Sequence, residues 1–531
     1  DMLFTSYEFL IFLAVLFLAY YLVPKSWQWK LLLAASYLFY FIAGPDYCIY
    51  ILVTTVSTWL VGRKIEAVRQ EQESYLKQHK QEMDREARKG YKASMKKKTW
   101  HWLLLCLIFN LGILAVLKYT NFTIANINAL LHAFGSGQQL SLVNLVLPMG
   151  ISFYTFQAMG YIIDVYRGTV TAEKNFFRFA LFVSFFPQLV QGPISRFGDL
   201  QKSLFAEHFF DGRNVSFGLQ RILWGFFKKL VIADRILVAV NAIIRNPDEY
   251  SAAYAFVGML FYALELYADF TGGIDITIGV AQVLGVEVTE NFRRPYFSKN
   301  IKEYWNRWHI TMGTWFTDYI FYPISVCKPM LKLSKSSRNH LGEAIGKRVT
   351  VYLSSFVVWF ATGIWHGASW NFIAWGLGNW VVIMVSQELE PLYARFHRRF
   401  AVKDKFGFRL FQVVRTVLLM SCLRMFDCYR DVPLTFRMFG SMFTGRNWNI
   451  LWNGALLQLG LSVTDFAILA FGLLLLVTVS LLQRKGSVRE RLQTLPFGLR
   501  YVLIYGLFLC VLLMGAYGVG YDASQFIYNQ F

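Results

Sequence analysis

The sequence predicts an all-α polytopic integral membrane protein, and three observations carry that prediction. Of 531 residues, 56% are hydrophobic, 18% aromatic and only 16% charged, against about 25% charged in a soluble domain. Several apolar runs approach the ~20 residues a helix needs to cross roughly 30 Å of hydrocarbon. Lys and Arg, 53 against 33 Asp and Glu, concentrate between those runs, where the positive-inside rule and anionic headgroups place them. The net charge of +20 is therefore assigned to orientation and lipid contact, and no nucleic-acid partner is expected.

Taken in order, Tyr7 to Val23 reads as a retained first span: no small-residue cleavage site follows it, and it ends at Pro24 and Lys25. Asp1 before Met2 reads as a remnant of tag removal. Leu31 to Ala43 and Tyr50 to Val61 are shorter runs, either spans or tilted and re-entrant pieces. Arg63 to Lys98 is the one long polar stretch, rich in Lys, Arg, Glu and Gln and without Pro. It is expected as a charged cytoplasmic helical loop lying outside the membrane. Trp102 to Leu117, Phe466 to Leu482 and Tyr501 to Tyr517 are clear spans. No repeat or low-complexity linker divides residues 1–531, so a single membrane domain is expected. The six cysteines are scattered with no C-x-x-C pair, which suggests neither a disulfide framework nor a metal site.

From Leu147 the apolar segments are interrupted by Gly, Pro and polar residues, including Gln157, Gln188 and Gln191. Polar groups at membrane depth are costly and usually face a protein-lined cavity, so each is a candidate functional residue. Phe182 to Ile194 carries Pro187 and Pro193 and is expected as a broken or re-entrant helix.

Soluble-enzyme signatures (G-x-S-x-G, a Walker loop, H-E-x-x-H, G-x-G-x-x-G before a strand) are absent. Two histidines lie instead in stretches that are both aromatic and polar. The first stretch holds Trp305, Asn306, Arg307, Trp308 and His309, followed by Asp318. The second holds Trp365, His366, Ser369 and Asn371, with Gly363 and Gly367 beside the imidazole. Burial favours the neutral imidazole, which can take a proton from a hydroxyl as a general base. A buried His that merely hydrogen-bonds a neighbour in a helix bundle is the competing interpretation.

Motifs in these and neighbouring stretches are similar to the bacterial branch of the membrane-bound O-acyltransferase (MBOAT) family. They run from Leu147-Pro148-Met149-Gly150 through Phe186-Pro187-Gln188, Phe227-Lys228-Lys229, Tyr267-Ala268-Asp269-Phe270 and Asn291-Phe292-Arg293-Arg294-Pro295 to both histidine stretches. The resemblance covers about Leu147 to Gly440, with a looser fit at both ends. It implies a multi-helix fold with broken or re-entrant helices around a central tunnel, in the bacterial cytoplasmic (inner) membrane. His366 matches the family's catalytic histidine, and His309 its second one. The tunnel lining would draw on Trp305, Asn306, Arg307, Trp308, Asp318, Trp365, Ser369, Asn371, Gln157, Gln188 and Gln191. The implied donor is acetyl-CoA, with no permanently bound cofactor or metal, and the implied partners are an extracytoplasmic acyltransferase and a polysaccharide acceptor. The chain ends in an F-x-Y-x-x-F motif at 526–531, which makes Tyr528 a candidate acyl carrier. An aromatic interface anchor is the plainer role for that tyrosine.

Two departures from the family pattern stand out. Ser325 to Arg348 is longer and more basic than the usual Gly-rich loop, and Thr317 stands where Arg is frequent. D-alanyl transfer from a carrier-protein thioester to teichoic acid remains an alternative. So do a transporter, whose polar intramembrane groups would line a path, and a scaffold of a secretion complex.

Overall fold

The computed structural model describes residues 3–517, which form helices and turns without a β-strand. Seven of these helices are long and apolar enough to cross a membrane. An eighth span is counted if Trp370–Glu388 and Glu390–Arg399 are one helix bent by 47°. Pro391, at the start of the second piece, supplies no N–H to continue the first. The chain is a multi-pass membrane protein. It packs as two compact units: residues through Ser216 with Val280–Thr289, and Phe217–Gly279 with Glu290 onward.

The first unit begins with α1 (Tyr7–Leu22), α2 (Gln28–Ala43), α3 (Tyr47–Gln78) and α4 (Arg85–Ala133). Ser6 starts α1 by accepting the Phe9 N–H at 3.2 Å. At 16 residues, α1 rises about 24 Å. The polar stretch from Arg63 to Lys98 is helical for most of its length: it forms the end of α3 and the start of α4, which run without a break to and from a turn at residues 79–84. The reason is local: the segment holds strong helix formers and no Pro, so the spans carry their hydrogen-bond ladder straight on. Asp84 then restarts the chain by capping Ala87 N–H at 2.7 Å. Inside the bilayer portion, Asn110 of α4 donates to Ser57 of α3 at 3.2 Å, a polar clasp between apolar helices.

α5 (Ile151–Arg167) and α6 (Phe176–Ser184) lead into the expected break. After α6 the chain makes one 3₁₀ turn at Phe186–Gln188 and runs on without helix through Ser195, buried throughout. Non-helical backbone at this depth needs internal partners, and side chains supply them. Gln157 donates to the Phe182 carbonyl at 2.6 Å and accepts the Ser195 N–H at 3.2 Å, while Gln188 donates to the Ser195 hydroxyl. Gly150, at φ +72°, passes so close that a Cβ there would lie 2.3 Å from the Leu189 carbonyl oxygen.

The second unit is centred on α7 (Gly212–Phe226), which unwinds into a π-helical turn at Phe227–Ala233 before α8 (Asp234–Arg245), and on α9 (Ala253–Val283). α7 and α9 cross on glycines: a Cβ on Gly225 would meet the Gly272 carbonyl at 2.5 Å, and one on Gly279 the Gly218 carbonyl at 2.6 Å. Small residues at membrane helix crossings permit this approach. Lys229, fully buried in the π turn, is neutralised by Asp234 at 2.8 Å and Asp269 at 2.7 Å. Then follow α10 (Ile301–Trp305), α11 (Ile310–Phe316) with a second π turn at Thr317–Phe321, α12 (Glu343–His366) and α13 (Trp370–Glu388). The unit closes with α14 (Phe406–Tyr429), α15 (Val463–Gln483) and α16 (Phe497–Met514). The long basic segment after Ser325 forms a helix, Lys328–Leu341, packed on α12.

Candidate active site

Both histidines sit where a helix of the second unit begins or ends. Asn300 starts α10 by accepting the Glu303 N–H at 2.8 Å. The helix lasts 5 residues, after which the chain reverses at His309, whose φ of 47° and ψ of 53° are left-handed. Asn291 holds that reversal from three sides. Its carbonyl accepts Ile310 N–H at 2.9 Å, and its side-chain oxygen accepts both the N–H and the hydroxyl of Thr311, each at 2.9 Å. The His309 ring is fully buried, against Phe270 at 5.0 Å and Trp365 at 5.8 Å between centroids.

His366 is the last residue of α12. Its Nδ1 lies 2.7 Å from the carbonyl oxygen of Thr362, one turn back. A carbonyl only accepts, so Nδ1 carries the hydrogen and Nε2 is the basic nitrogen of the neutral ring. The imidazole is wedged between Trp375 at 4.6 Å and Trp365 at 5.2 Å, and it stands perpendicular to His309 at 6.3 Å. Glycines make this packing possible. A Cβ on Gly363 would lie 2.6 Å from the Phe372 carbonyl, one on Gly376 2.4 Å from the Trp359 carbonyl, and one on Gly367 2.3 Å from the Phe372 ring. The α12–α13 approach that places Trp375 on His366 is thus built from missing side chains.

Further tryptophans extend the cluster. Trp305 packs on Trp359 at 4.9 Å and Trp375 at 5.8 Å, and donates its indole N–H to Asn379 at 3.2 Å. Trp308 is fully buried and stacked on Tyr304 at 5.6 Å. The guanidinium of Arg424 lies 4.5 Å from the Trp375 ring centre and 5.4 Å from that of Trp308, and it pairs with Asp427 at 2.7 Å. Both members of the pair are buried.

Of the residues singled out in sequence, Trp305, Trp308, His309, Trp365 and His366 meet in this cluster. Asn371 donates to the Phe426 carbonyl at 3.1 Å and accepts from Ser369 at 2.5 Å, so these two fasten the start of α13 to α14. Arg307 is half-buried and paired with Glu303 at 2.8 Å, Asn306 is exposed, and Asp318 is half-buried on the second π turn. Gln157, Gln188 and Gln191 belong to the first unit, where Gln157 and Gln188 brace the broken segment. Tyr528 and the 526–531 motif lie outside the described residues.

Arg424, Asp427, Trp375 and Asn379 were not singled out as site residues from the sequence. The available signal was an Arg and an Asp three apart inside an otherwise apolar span, which membrane energetics marks as functional. Among the described residues, no group of three or more His, Cys, Asp or Glu side chains is placed to hold a metal.

The arrangement offers an oriented, basic imidazole nitrogen at a helix end, in an aromatic enclosure with a second imidazole beside it. That is equipment for proton transfer to or from a hydroxyl. The sequence model of the membrane-bound O-acyltransferase family matches residues 171–429, which include both histidines and the Arg424–Asp427 pair. A probable alginate O-acetylase of Pseudomonas syringae is 32% identical over 481 residues, covering 88% of this chain and 81% of its own. A peptidoglycan O-acetyltransferase of Helicobacter pylori is 30% identical, covering 56% of this chain and 57% of its own. A teichoic acid D-alanyltransferase of Bacillus subtilis is 29% identical, covering 45% and 59%. With a family match that includes the histidine cluster and a relative 32% identical and aligned over most of both chains, this protein belongs to the membrane-bound O-acyltransferase family and is a membrane-bound O-acyltransferase.

Proposed function

We propose that this enzyme takes an acetyl group from cytoplasmic acetyl-CoA and passes it across the bacterial cytoplasmic membrane, for O-acetylation of a cell-envelope or exported polysaccharide completed by an extracytoplasmic partner. The observation that carries the reading is the Thr362–His366 hydrogen bond, which leaves Nε2 as the base. The acetyl acceptors named in the alginate and peptidoglycan relatives support a polysaccharide, and basic cytoplasmic residues suit an anionic donor.

In this reading His366 Nε2 removes the proton from the Tyr528 phenol as its oxygen attacks the thioester carbonyl. The C–S bond breaks, and coenzyme A leaves as a thiolate that is protonated by the imidazolium. The products are an aryl acetate, free coenzyme A and a regenerated neutral histidine. In the second half the partner's nucleophile attacks the acetyl carbonyl and the phenol is released and reprotonated.

The test is radiolabel transfer from acetyl-CoA to purified protein, comparing wild type, His366→Ala and Tyr528→Phe. Label on wild type that both changes remove supports the scheme. Absence of label on every form overturns it, and label acquired only from a D-alanyl carrier-protein thioester reassigns the donor.

A further inference from the structure

A cavity of about 830 Å³ lies wholly within the second unit, apart from the histidine pair. Its lining carries charge: Arg221, Lys228, Arg293, Arg294 and Arg489 against Asp275 and Glu290. Arg221 grips both Glu290 oxygens at 2.7 and 2.8 Å and shares Asp275 with Lys228. Those four groups balance, and the surplus is positive. Among the described residues, Arg293 and Arg294 have no carboxylate within ion-pair distance, and the buried Nε of Arg294 has no hydrogen-bond partner. Arg294 is held below the usual arginine pKa, first by burial and then by the neighbouring cations Arg307 and Arg484. Burial and then Arg221 lower Arg489 as well, against the opposing pull of Glu290, Asp275 and Glu490. With Arg293 and Arg294 lacking carboxylate partners, the charged part of the lining favours an anion.

The rest of the lining is largely hydrocarbon, including Leu475, Leu476 and Val479 of α15 and Leu503, Leu507 and Cys510 of α16. Only 6% of the apolar window of α16 is buried, so that helix borders lipid. The segment joining α15 to α16 contains Arg484, Lys485, Arg489 and Arg491 against Glu490, which the positive-inside rule assigns to the cytoplasmic leaflet, where anionic lipids reside.

We propose that this cavity binds an anionic phospholipid, with its phosphate held by Arg293, Arg294 and Arg489 and an acyl chain between α15 and α16. The cavity wall includes Phe292, whose ring packs on Trp308 at 5.0 Å and on Phe270 at 4.8 Å, and Phe270 in turn touches His309. A bound lipid thus steadies the aromatic wall behind the second histidine.

Native mass spectrometry of the full chain, titrated in detergent with dioleoylphosphatidylglycerol or dioleoylphosphatidylcholine, tests this. The anionic lipid is expected to bind more tightly, and Arg294→Gln and Arg489→Gln each to weaken it about fivefold, the contribution of one cation near an anionic lipid surface. Leu503→Trp, at a half-exposed position in the apolar lining, takes up cavity space and is expected to weaken it as well. It keeps the test decisive if an arginine variant melts early. Equal retention of the two lipids, or anionic-lipid binding untouched by all three changes, overturns the proposal. So does coenzyme A binding the same arginines while excluding the lipid, which would assign the cavity to a soluble phosphorylated ligand.

Discussion

The Nδ1 of His366 and the backbone carbonyl of Thr362 are 2.7 Å apart, so a main-chain atom, not a side chain, fixes the tautomer of the candidate base. That partner survives substitution of Thr362, and the orientation of the ring depends on the integrity of the last turn of α12. His366→Ala is expected to lower acetyl transfer by roughly 10²–10⁴-fold, the usual contribution of a positioned acid–base group, with little change in melting temperature. His366→Gln should be no better. Activity within tenfold of wild type in either variant would remove His366 from the chemistry.

Gly376→Ala drives a methyl to 2.4 Å from the Trp359 carbonyl, where backbone must shift. Overpacking of this kind costs about 1–3 kcal/mol, and the displaced Trp375 should carry activity down with it. Gly407→Ala is the control: nothing lies within 4 Å of its Cβ, and removing a helical glycine there should stabilise by up to about 1 kcal/mol. Thermal melting in detergent ranks the pair, and equal melting of both variants contradicts the packing argument.

Arg424 and Asp427 form an ion pair with side chains only 4% and 2% exposed. Removing one partner leaves a buried charge, so Arg424→Met alone should cost about 3–5 kcal/mol. The double change Arg424→Met with Asp427→Leu should recover much of that stability but not the activity, because the cation over Trp375 and Trp308 is gone. A double-mutant cycle by thermal unfolding checks it. Additive losses would show that the pair is not coupled.

The turn joining α3 and α4 is mostly exposed between His79 and Asp84. Insertion of a Gly-Ser-Gly tripeptide after Gln81 is expected to leave transfer activity within about twofold, since exposed turns tolerate added length. A large loss would mean that the tip contacts a donor or partner.

Much of the helical framework was legible in the sequence because hydrocarbon imposes a simple length rule: Phe466 to Leu482 and Tyr501 to Tyr517 fall within α15 and α16 but for the last three residues. The break after Phe182 was legible from Pro187 and Pro193. The two histidine stretches were legible because aromatic and polar residues together do not suit a lipid face. Other features depend on tertiary structure. Asp427 three residues on is the one local hint that Arg424 does not simply snorkel, and its role shows only once Trp375 and Trp308 close over it. The π turn at Phe227–Ala233 has no sequence signature, although it brings Lys229 to Asp269. The helical character of the charged segment was legible from its helix formers and lack of Pro, but its continuity with the neighbouring apolar helices was not, because charge content shows where a chain meets water and not where a helix stops.

His309 occupies a backbone conformation that glycine adopts freely and a histidine adopts only at a cost of about 1–2 kcal/mol. Glycine at this position would relax the main chain, but it would also empty the space that the buried ring fills against Phe270 and Trp365, and a cavity in a packed interior costs about 2–5 kcal/mol. The reversal at residue 309 is therefore held by its own side chain: backbone strain and ring packing oppose each other at a single position, and the aromatic walls decide the balance. His309→Gly is expected to melt lower than the wild type in spite of its easier backbone, and a higher melting temperature would show that strain outweighs packing.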